Sequence, residues 1–198
     1  ICRNLELTET LRSKEKRGSL LWVLDKTKTA MGARLLRAYI EQPLIHREEI
    51  IARQSAVEEL NMNYISREEI REYLNPVYDL ERLIGRISYK TANPRDLISF
   101  CNSLEMLPYI KRLLEEFSSP LLKALADDMD PLEDLFELIR SAIVEEPPIT
   151  LREGGIIRDG YNEEADKLRQ AKTEGKNWLA ELEAREKEKT GIKTLKVK

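Results

Sequence analysis

The chain of 198 residues is long enough for one domain with a substantial hydrophobic core. Hydrophobic residues make up 41% and charged residues 35%, and only 8 glycines and 8 prolines occur, which predicts a globular, helix-rich protein. A formal net charge of −3 excludes a uniformly basic nucleic-acid-binding chain, and the short apolar runs exclude a membrane-spanning helix.

The two cysteines, Cys2 and Cys101, have neither the spacing of a metal site nor that of a disulfide framework. We therefore expect a reducing, cytoplasmic setting. The single histidine, His46, cannot by itself supply a histidine metal site, and its place before Arg47 predicts a helix cap.

The first predicted helices are marked by their caps and by prolines. Thr29 begins a helix that Pro43 ends, after an earlier apolar cluster that follows Gly18. The next helix is predicted over about 47–62, and Ser66 with Glu69 forms a capping-box pattern that predicts another helix start. The helix over 47–62 carries an apolar stripe of helical period: Ile50, Ile51, Gln54, Val57 and Leu60.

Three further helices are predicted where a proline stands in the first turn. The signals are Asn93–Pro94, Ser119–Pro120 and Asp130–Pro131, while Pro108 predicts a kink or a restart. Another helix is predicted after Pro76. The apolar residues of the helix after Pro76 are Val77, Leu80, Leu83, Ile84 and Ile87. Those of the helix after Pro94 are Leu97, Cys101, Leu104 and Leu107. Those of the helix after Pro131 are Leu132, Leu135, Phe136, Ile139 and Ile143. These segments predict seven or more helices up to Glu146, an all-α bundle.

The stretch from Pro147 to Tyr161 interrupts the helical pattern and contains three glycines. Alternation around Ile149, Leu151, Ile156 and Ile157 predicts short extended pieces, bent at Gly154 and Gly155. A phosphate-binding loop would need Gly-Lys-Ser or Gly-Lys-Thr ahead of a helix, whereas Gly160 is followed by Tyr-Asn and then by acidic residues. We therefore interpret Gly154, Gly155 and Gly160 as a structural turn.

A long helix follows that turn. Asn162 is predicted to cap it, and Gly191 to end it after about Thr190. Its apolar stripe is thin, so we expect one side to pack and the rest to face water: Ala165, Leu168, Ala171, Gly175, Trp178, Leu179 and Leu182. The final "IKTLKVK" predicts a strand without a partner, so we expect the chain to be a piece of a longer protein.

No catalytic constellation stands out. Asp25, in "DKTKT", would serve phosphoryl transfer only on a parallel sheet, so a helix end is the better interpretation. The paired glutamates lie at helix ends, and Trp22 and Trp178 are predicted to pack in the core. The basic C-terminal residues remain candidates for contacting a phosphate backbone, the alternative being a solvated face: Lys187, Lys189, Lys193, Lys196 and Lys198.

Three blocks of the sequence resemble one known family. Residues 3–44, "RNLELTETLRSKEKRGSLLWVLDKTKTAMGARLLRAYIEQPL", resemble the opening of the core, or lever, domain of bacterial MutS-type DNA mismatch repair proteins. Residues 78–97, "YDLERLIGRISYKTANPRDL", resemble a second block of that domain. "LREGGIIRDGYNEEADKLR" and "ELEAREKEKTGIKTLKVK" resemble the passage into the clamp domain. The resemblance covers the whole chain in order.

The resemblance implies an all-α multi-helix bundle with a short β-like turn and a long C-terminal helix leading into a clamp strand. Residues 1–161 would be the core domain, and 162–198 the lever helix and first arm of an incomplete clamp domain. The family's mismatch-reading Phe-x-Glu motif and Walker A loop have no counterpart in this sequence. The resemblance therefore implies no catalytic residue, cofactor or metal here, with ATP and magnesium bound elsewhere in the parent protein.

The implied role is structural and allosteric: the chain would couple the parent's ATPase domain to its DNA-holding and mismatch-recognition parts. The implied partners are mismatched double-stranded DNA, a second copy of the parent and a MutL-type protein, in the bacterial cytoplasm at the nucleoid and with no membrane. Two alternatives stay open. One is an independent DNA-backbone-binding arm that uses Lys193, Lys196 and Lys198, and the other is a generic helical interaction scaffold whose resemblance is fortuitous.

Overall fold

The computed structural model describes residues 4–191, and within them the fold is all-helical, as the sequence predicts. A short 3-10 turn at Leu151–Glu153 separates the last helix of the bundle from the long final helix. The helices are α1 Leu20–Leu24, α2 Ala30–Glu41, α3 Arg47–Met62, α4 Tyr64–Leu74, α5 Leu80–Ser88, α6 Pro94–Leu104, α7 Leu107–Glu115, α8 Pro120–Asp128, α9 Glu133–Ala142 and α10 Glu163–Thr190.

Most predicted helix boundaries are confirmed by observed caps. Thr29 accepts a hydrogen bond from the Gly32 amide at 3.0 Å. Asn93 and Asp96 form a complete capping box before Pro94, each side chain accepting from the other residue's amide. Helix α7 restarts with Pro108 in its first turn, as predicted. These caps satisfy backbone donors that a helix end leaves without partners.

Three predicted starts are wrong. Ser66 lies inside α4, whose N-cap is Asn63, because the Asn63 carbonyl accepts the first backbone hydrogen bond of that helix, from the Arg67 amide at 3.0 Å. Helix α5 begins at Leu80 rather than directly after Pro76, since the Asp79 side chain supplies its cap. Helix α9 begins at Glu133, because Leu132 takes a left-handed conformation with φ 53°.

The hydrophobic core forms two adjoining clusters. The larger lies between α3, α4, α7 and α8, and the smaller lies between α5, α6 and α9, where Leu83, Phe100 and Leu104 are buried. Leu80 packs against both and joins them. The buried residues of the larger cluster are Ala56, Ile70, Val77, Ile110, Leu113, Leu114, Phe117, Leu122 and Ala126.

Several residues of the predicted apolar stripes are exposed, and so is Trp22, which was predicted to pack in the core. Trp22 is 48% exposed and Val57 66%, although both lie in apolar stretches. An amphipathic pattern identifies which face of a helix is apolar but not whether another element covers it. The same correction applies to Ile51, Ile84, Ile87, Leu135, Leu168, Trp178 and Leu179. None of the helices formed by residues 4–191 combines the length and apolarity needed to cross a membrane.

Candidate functional site at the root of the long helix

Helix α10 extends away from the bundle's core clusters without a buried residue of its own. It has 28 residues, which at about 1.5 Å per residue makes a rod roughly 42 Å long. Trp178 is 61% exposed and Leu168 67%, so the prediction that these residues pack is wrong within the described residues, whereas Ala165 and Leu182 of the same stripe are half-buried. Its position relative to the bundle is therefore set at its first turns.

The chain reaches α10 through a short antiparallel pairing beside the end of α9. Ile143 and Ile157 form a β-bridge, which confirms the predicted extended conformation at Ile157, whereas the same prediction is wrong for Leu151, which lies in the 3-10 turn. The Val144 amide donates to the Ile156 carbonyl at 3.0 Å, and the Arg158 amide donates to the Ala142 carbonyl at 2.8 Å. Since Ile143 is buried, these bonds hold the segment before α10 against the bundle.

The loop between the paired segments is fastened at a second place. The Arg95 guanidinium on α6 donates to the Pro147 carbonyl at 3.0 Å. Thr150 and Glu153 close a capping box around the 3-10 turn. Gly154 and Gly155 then reverse the chain with φ values of 72° and 71°, which residues with a Cβ rarely adopt.

Gly160 makes the final turn into α10. Its φ is 85°, and its amide donates to Asp166 Oδ2 at 2.9 Å. A Cβ placed there would meet nothing within 4 Å, so the backbone angle, and not crowding, favours glycine. Asn162 Oδ1 accepts from the Ala165 amide at 2.9 Å, which confirms the predicted cap. The Gly160 amide is thus occupied by a carboxylate that would repel a phosphate.

Arg169 joins all parts of the root of α10, which is the stretch from residue 142 to residue 169 that connects this helix to the bundle. Its guanidinium contacts the Asp159 carboxylate, donates to Asp166 Oδ1 at 2.9 Å, and donates to the Ile157 carbonyl at 2.9 Å. One planar cation therefore links α10, the turn and the bridged segment. Sequence reasoning missed Arg169. The available signal was an arginine one helical turn after Asp166, in a helix preceded by the acidic Asp159.

A comparison with protein families decides what kind of domain carries this root. The family model described as MutS domain III matches residues 2–195. The chain belongs to the MutS domain III family. The alternative of a generic scaffold with a fortuitous resemblance is therefore wrong.

Individual relatives agree with the family match. This MutS domain III is 69% identical over 196 residues to the DNA mismatch repair protein MutS of Lachnoclostridium phytofermentans, covering 99% of this chain and 21% of that protein. It is 56% identical over 195 residues to the MutS of Ruminiclostridium cellulolyticum, an alignment that covers 98% of this chain and 22% of that protein. The MutS of Clostridium tetani is 51% identical over 195 residues, with 98% and 22% covered. The chain thus spans about a fifth of the length of these relatives.

The candidate DNA-contacting lysines of this MutS domain III are not brought into the root. Lys193, Lys196 and Lys198 lie outside the described residues, so their role stays a prediction. Lys187 forms an ion pair with Glu183 one turn earlier on α10, at 2.5 Å. Lys189 lies in the last turn of α10, where a cation faces the negative end of the helix dipole.

The remaining candidate residues, His46, Asp25 and Cys101, lie at helix ends or in the core. His46 is the N-cap residue of α3, as predicted, but its side chain makes no capping hydrogen bond. Asp25 lies at the end of α1, where hydrogen bonds from Lys16 and then from Thr27 lower its pKa to about 2. Cys101 is fully buried, and burial raises the pKa of its thiol.

Proposed function

We propose that this MutS domain III is a rigid coupling module of a DNA mismatch repair protein. The bundle of α1–α9 is the frame, α10 is the lever, and the root between residues 142 and 169 fixes the angle between them. The observation that carries the proposal is the threefold contact of Arg169, which binds an otherwise exposed helix to a segment paired with the bundle.

The physical basis is mechanical. A close-packed bundle has few soft internal motions, so a displacement at one side is passed on rather than absorbed. A long helix then converts a small rotation at its root into a large movement at its far end. Two ligands that prefer different positions of the same lever influence each other's binding through it.

The parts that would be coupled belong to the parent protein. We propose that the parent binds ATP and magnesium in an ATPase domain, holds mismatched duplex DNA as a homodimer, and works with a MutL-type partner in the bacterial cytoplasm. Within this chain we propose that 1–161 form the core and that 162–198 begin the clamp arm. No catalytic residue is assigned to either part, and the family match supports a place within a larger repair protein.

The proposal is tested by grafting. The 198 residues replace the corresponding segment of the Lachnoclostridium phytofermentans relative, with and without Arg169→Gln. The matched control is Arg185→Gln, which removes the same charge from an exposed position further along α10. ATP turnover is measured with mismatched and with perfectly paired duplex, and binding of each duplex is measured without nucleotide.

We expect Arg169→Gln to reduce the difference in turnover between the two duplexes by about fivefold or more, the size of a typical coupling free energy. DNA binding without nucleotide and turnover without DNA should stay within twofold of the Arg185→Gln control. If Arg169→Gln and Arg185→Gln show the same mismatch dependence as the unsubstituted graft, the root does not transmit the signal and the proposal is wrong.

A further inference from the structure

An open groove of about 500 Å³ borders the smaller core cluster and is lined by residues of α6, α7, α9 and the loop before α9. Its apolar lining, called the apolar floor below, includes Leu104, Pro108 and Phe136. Tyr109, 41% exposed, forms part of one wall, and Pro131 forms part of the other. None of these residues takes part in the root of α10, so the groove is independent of the coupling role.

The groove is held open by contacts within the domain. Lys111 on α7 donates to the Met129 carbonyl at 2.8 Å, which ties the loop before α9 to the opposite wall. In that loop Leu132 takes a left-handed conformation, and its amide donates to Asp130 Oδ1 at 3.0 Å. The Tyr109 ring stacks on Tyr73 with centroids 5.1 Å apart, so its orientation is fixed. A preformed site loses less conformational entropy on binding.

Three carboxylates surround the apolar floor. Glu105, Glu133 and Glu137 line the groove, and within residues 4–191 none of them forms an ion pair. The cation among the lining residues is Arg112, whose guanidinium lies 5.9 Å from the centre of the Tyr109 ring. The groove therefore combines apolar surface with a net negative edge, which repels nucleic acid and anionic lipid.

We propose that this groove docks a segment of a partner protein in which an aliphatic or aromatic side chain is flanked by lysine or arginine. The apolar side chain fills the space over Phe136, and the flanking cations pair with Glu105, Glu133 and Glu137. Charge complementarity of this kind speeds encounter and fixes the orientation of the bound segment. The apolar contact supplies the part of the affinity that salt does not screen.

The test uses the 198-residue chain labelled with ¹⁵N and three synthetic peptides. The probe is KLKWKLK, a peptide with the proposed chemistry, and the controls are KSKSKSK, which lacks apolar anchors, and ELEWELE, which reverses the charge. Binding is followed through the backbone amide resonances of Tyr109, Glu133 and Glu137. The groove variant is Glu105→Gln with Glu133→Gln and Glu137→Gln.

A second triple variant makes the same change in charge elsewhere. It combines Glu49→Gln, Glu58→Gln and Glu181→Gln, three exposed carboxylates outside the groove. We expect KLKWKLK to bind the groove variant about tenfold more weakly than the unsubstituted chain, because three exposed ion pairs together contribute roughly that factor. Binding to the control variant should change by less than about twofold, as expected of screened, distant charges.

Four results would overturn the proposal. The first is that KLKWKLK fails to bind the unsubstituted chain. The second is that KLKWKLK binds but shifts amide resonances elsewhere and leaves those of the groove residues unchanged. The third is that KSKSKSK binds as tightly as KLKWKLK, which would mean that the groove attracts cations without an apolar anchor. The fourth is that both triple variants weaken the binding of KLKWKLK equally, which would mean that total charge and not the groove decides the affinity.

Discussion

At the scale of single residues, burial separates two leucines that the sequence treats alike. Leu83 lies in the smaller core cluster and is 7% exposed, whereas Leu135, on α9, is 37% exposed. We expect Leu83→Ala to lower the free energy of unfolding by about 2–5 kcal/mol, because the truncation leaves a cavity. Leu135→Ala should cost roughly half of that or less, since water already contacts the side chain. Urea denaturation measures both, and equal costs would contradict the observed packing.

Asp25 makes the stability of the domain depend on pH in a defined window. Its pKa is lowered to about 2 by hydrogen bonds from Lys16 and Thr27, and in the unfolded chain it returns to an ordinary value near 3.8. A lowered folded-state pKa stabilises the fold above the unfolded pKa, and that contribution is lost as the pH falls through the folded pKa. The contribution of Asp25 should therefore disappear between pH about 4 and about 2.

The measurement is the urea midpoint between pH 6 and pH 2. Asp25→Asn should flatten the decline below pH about 4, while Asp127→Asn, at an exposed carboxylate without an ion pair in residues 4–191, serves as the control. Asp79 acts in the same direction, because Arg34 lowers its pKa. An acid profile of Asp25→Asn that matches the unsubstituted chain would show that the Lys16–Asp25 pair contributes nothing to folding.

Single residues also show where sequence reasoning reaches its limit. The caps at Thr29, Asn93 and Asn162 were predictable because their partners lie within three residues. The pairing of Arg34 with Asp79 joins residues 45 positions apart, and no local pattern records it. The left-handed backbone of Leu132 was equally hidden, because a leucine gives no signal for positive φ.

At the scale of elements, two glycines near and within α10 have opposite conformational requirements. Gly160 has φ 85°, whereas Gly175 lies within the helix, where an added Cβ would meet nothing within 4 Å. We expect Gly160→Ala to destabilise the root by about 1–2 kcal/mol, because alanine avoids the left-handed region. Gly175→Ala should stabilise the helix by about 1 kcal/mol through its higher helix propensity.

Circular dichroism at 222 nm during thermal unfolding distinguishes these two substitutions. Glycine-to-alanine substitution should lower the midpoint temperature of unfolding at position 160, whereas at position 175 it should raise the helical signal and the midpoint temperature. Two shifts of the same sign would show that the backbone at Gly160 is not held in its observed conformation.

The elements also explain why the bundle was easier to predict than its surface. Prolines and caps fix where α6, α7, α8 and α10 begin, and these signals act locally. Coverage is decided by which helices meet, and Val57 on α3 or Trp178 on α10 has no neighbour to cover it in the described residues. The root was predicted as a glycine turn, but the contacts of Arg169 were not predicted, because its three partners come together only in the folded chain.

At the scale of the whole molecule, the described structure is a packed helical bundle, the proposed frame, followed by one long exposed helix, the proposed lever. Its two core clusters share Leu80, so α5, α6 and α9 are joined to the larger cluster and the frame should unfold as one unit. Helix α10 contributes no buried residue and should lose its helical structure at lower denaturant concentration than the frame. Hydrogen exchange should accordingly be fast in 170–190 and slow in α6 and α7.

The coupling role requires a rigid root of α10, and one distance measurement tests this directly. Spin labels are placed at Lys123→Cys on α8 and Lys176→Cys on α10, with Cys2 replaced by serine and the buried Cys101 by alanine. Pulsed electron spin resonance then gives the distribution of distances between frame and lever, with and without Arg169→Gln. We predict a narrow distribution that broadens clearly when Arg169 is replaced. A broad distribution in the unsubstituted chain, or one that Arg169→Gln leaves unchanged, would contradict a rigid root held by Arg169.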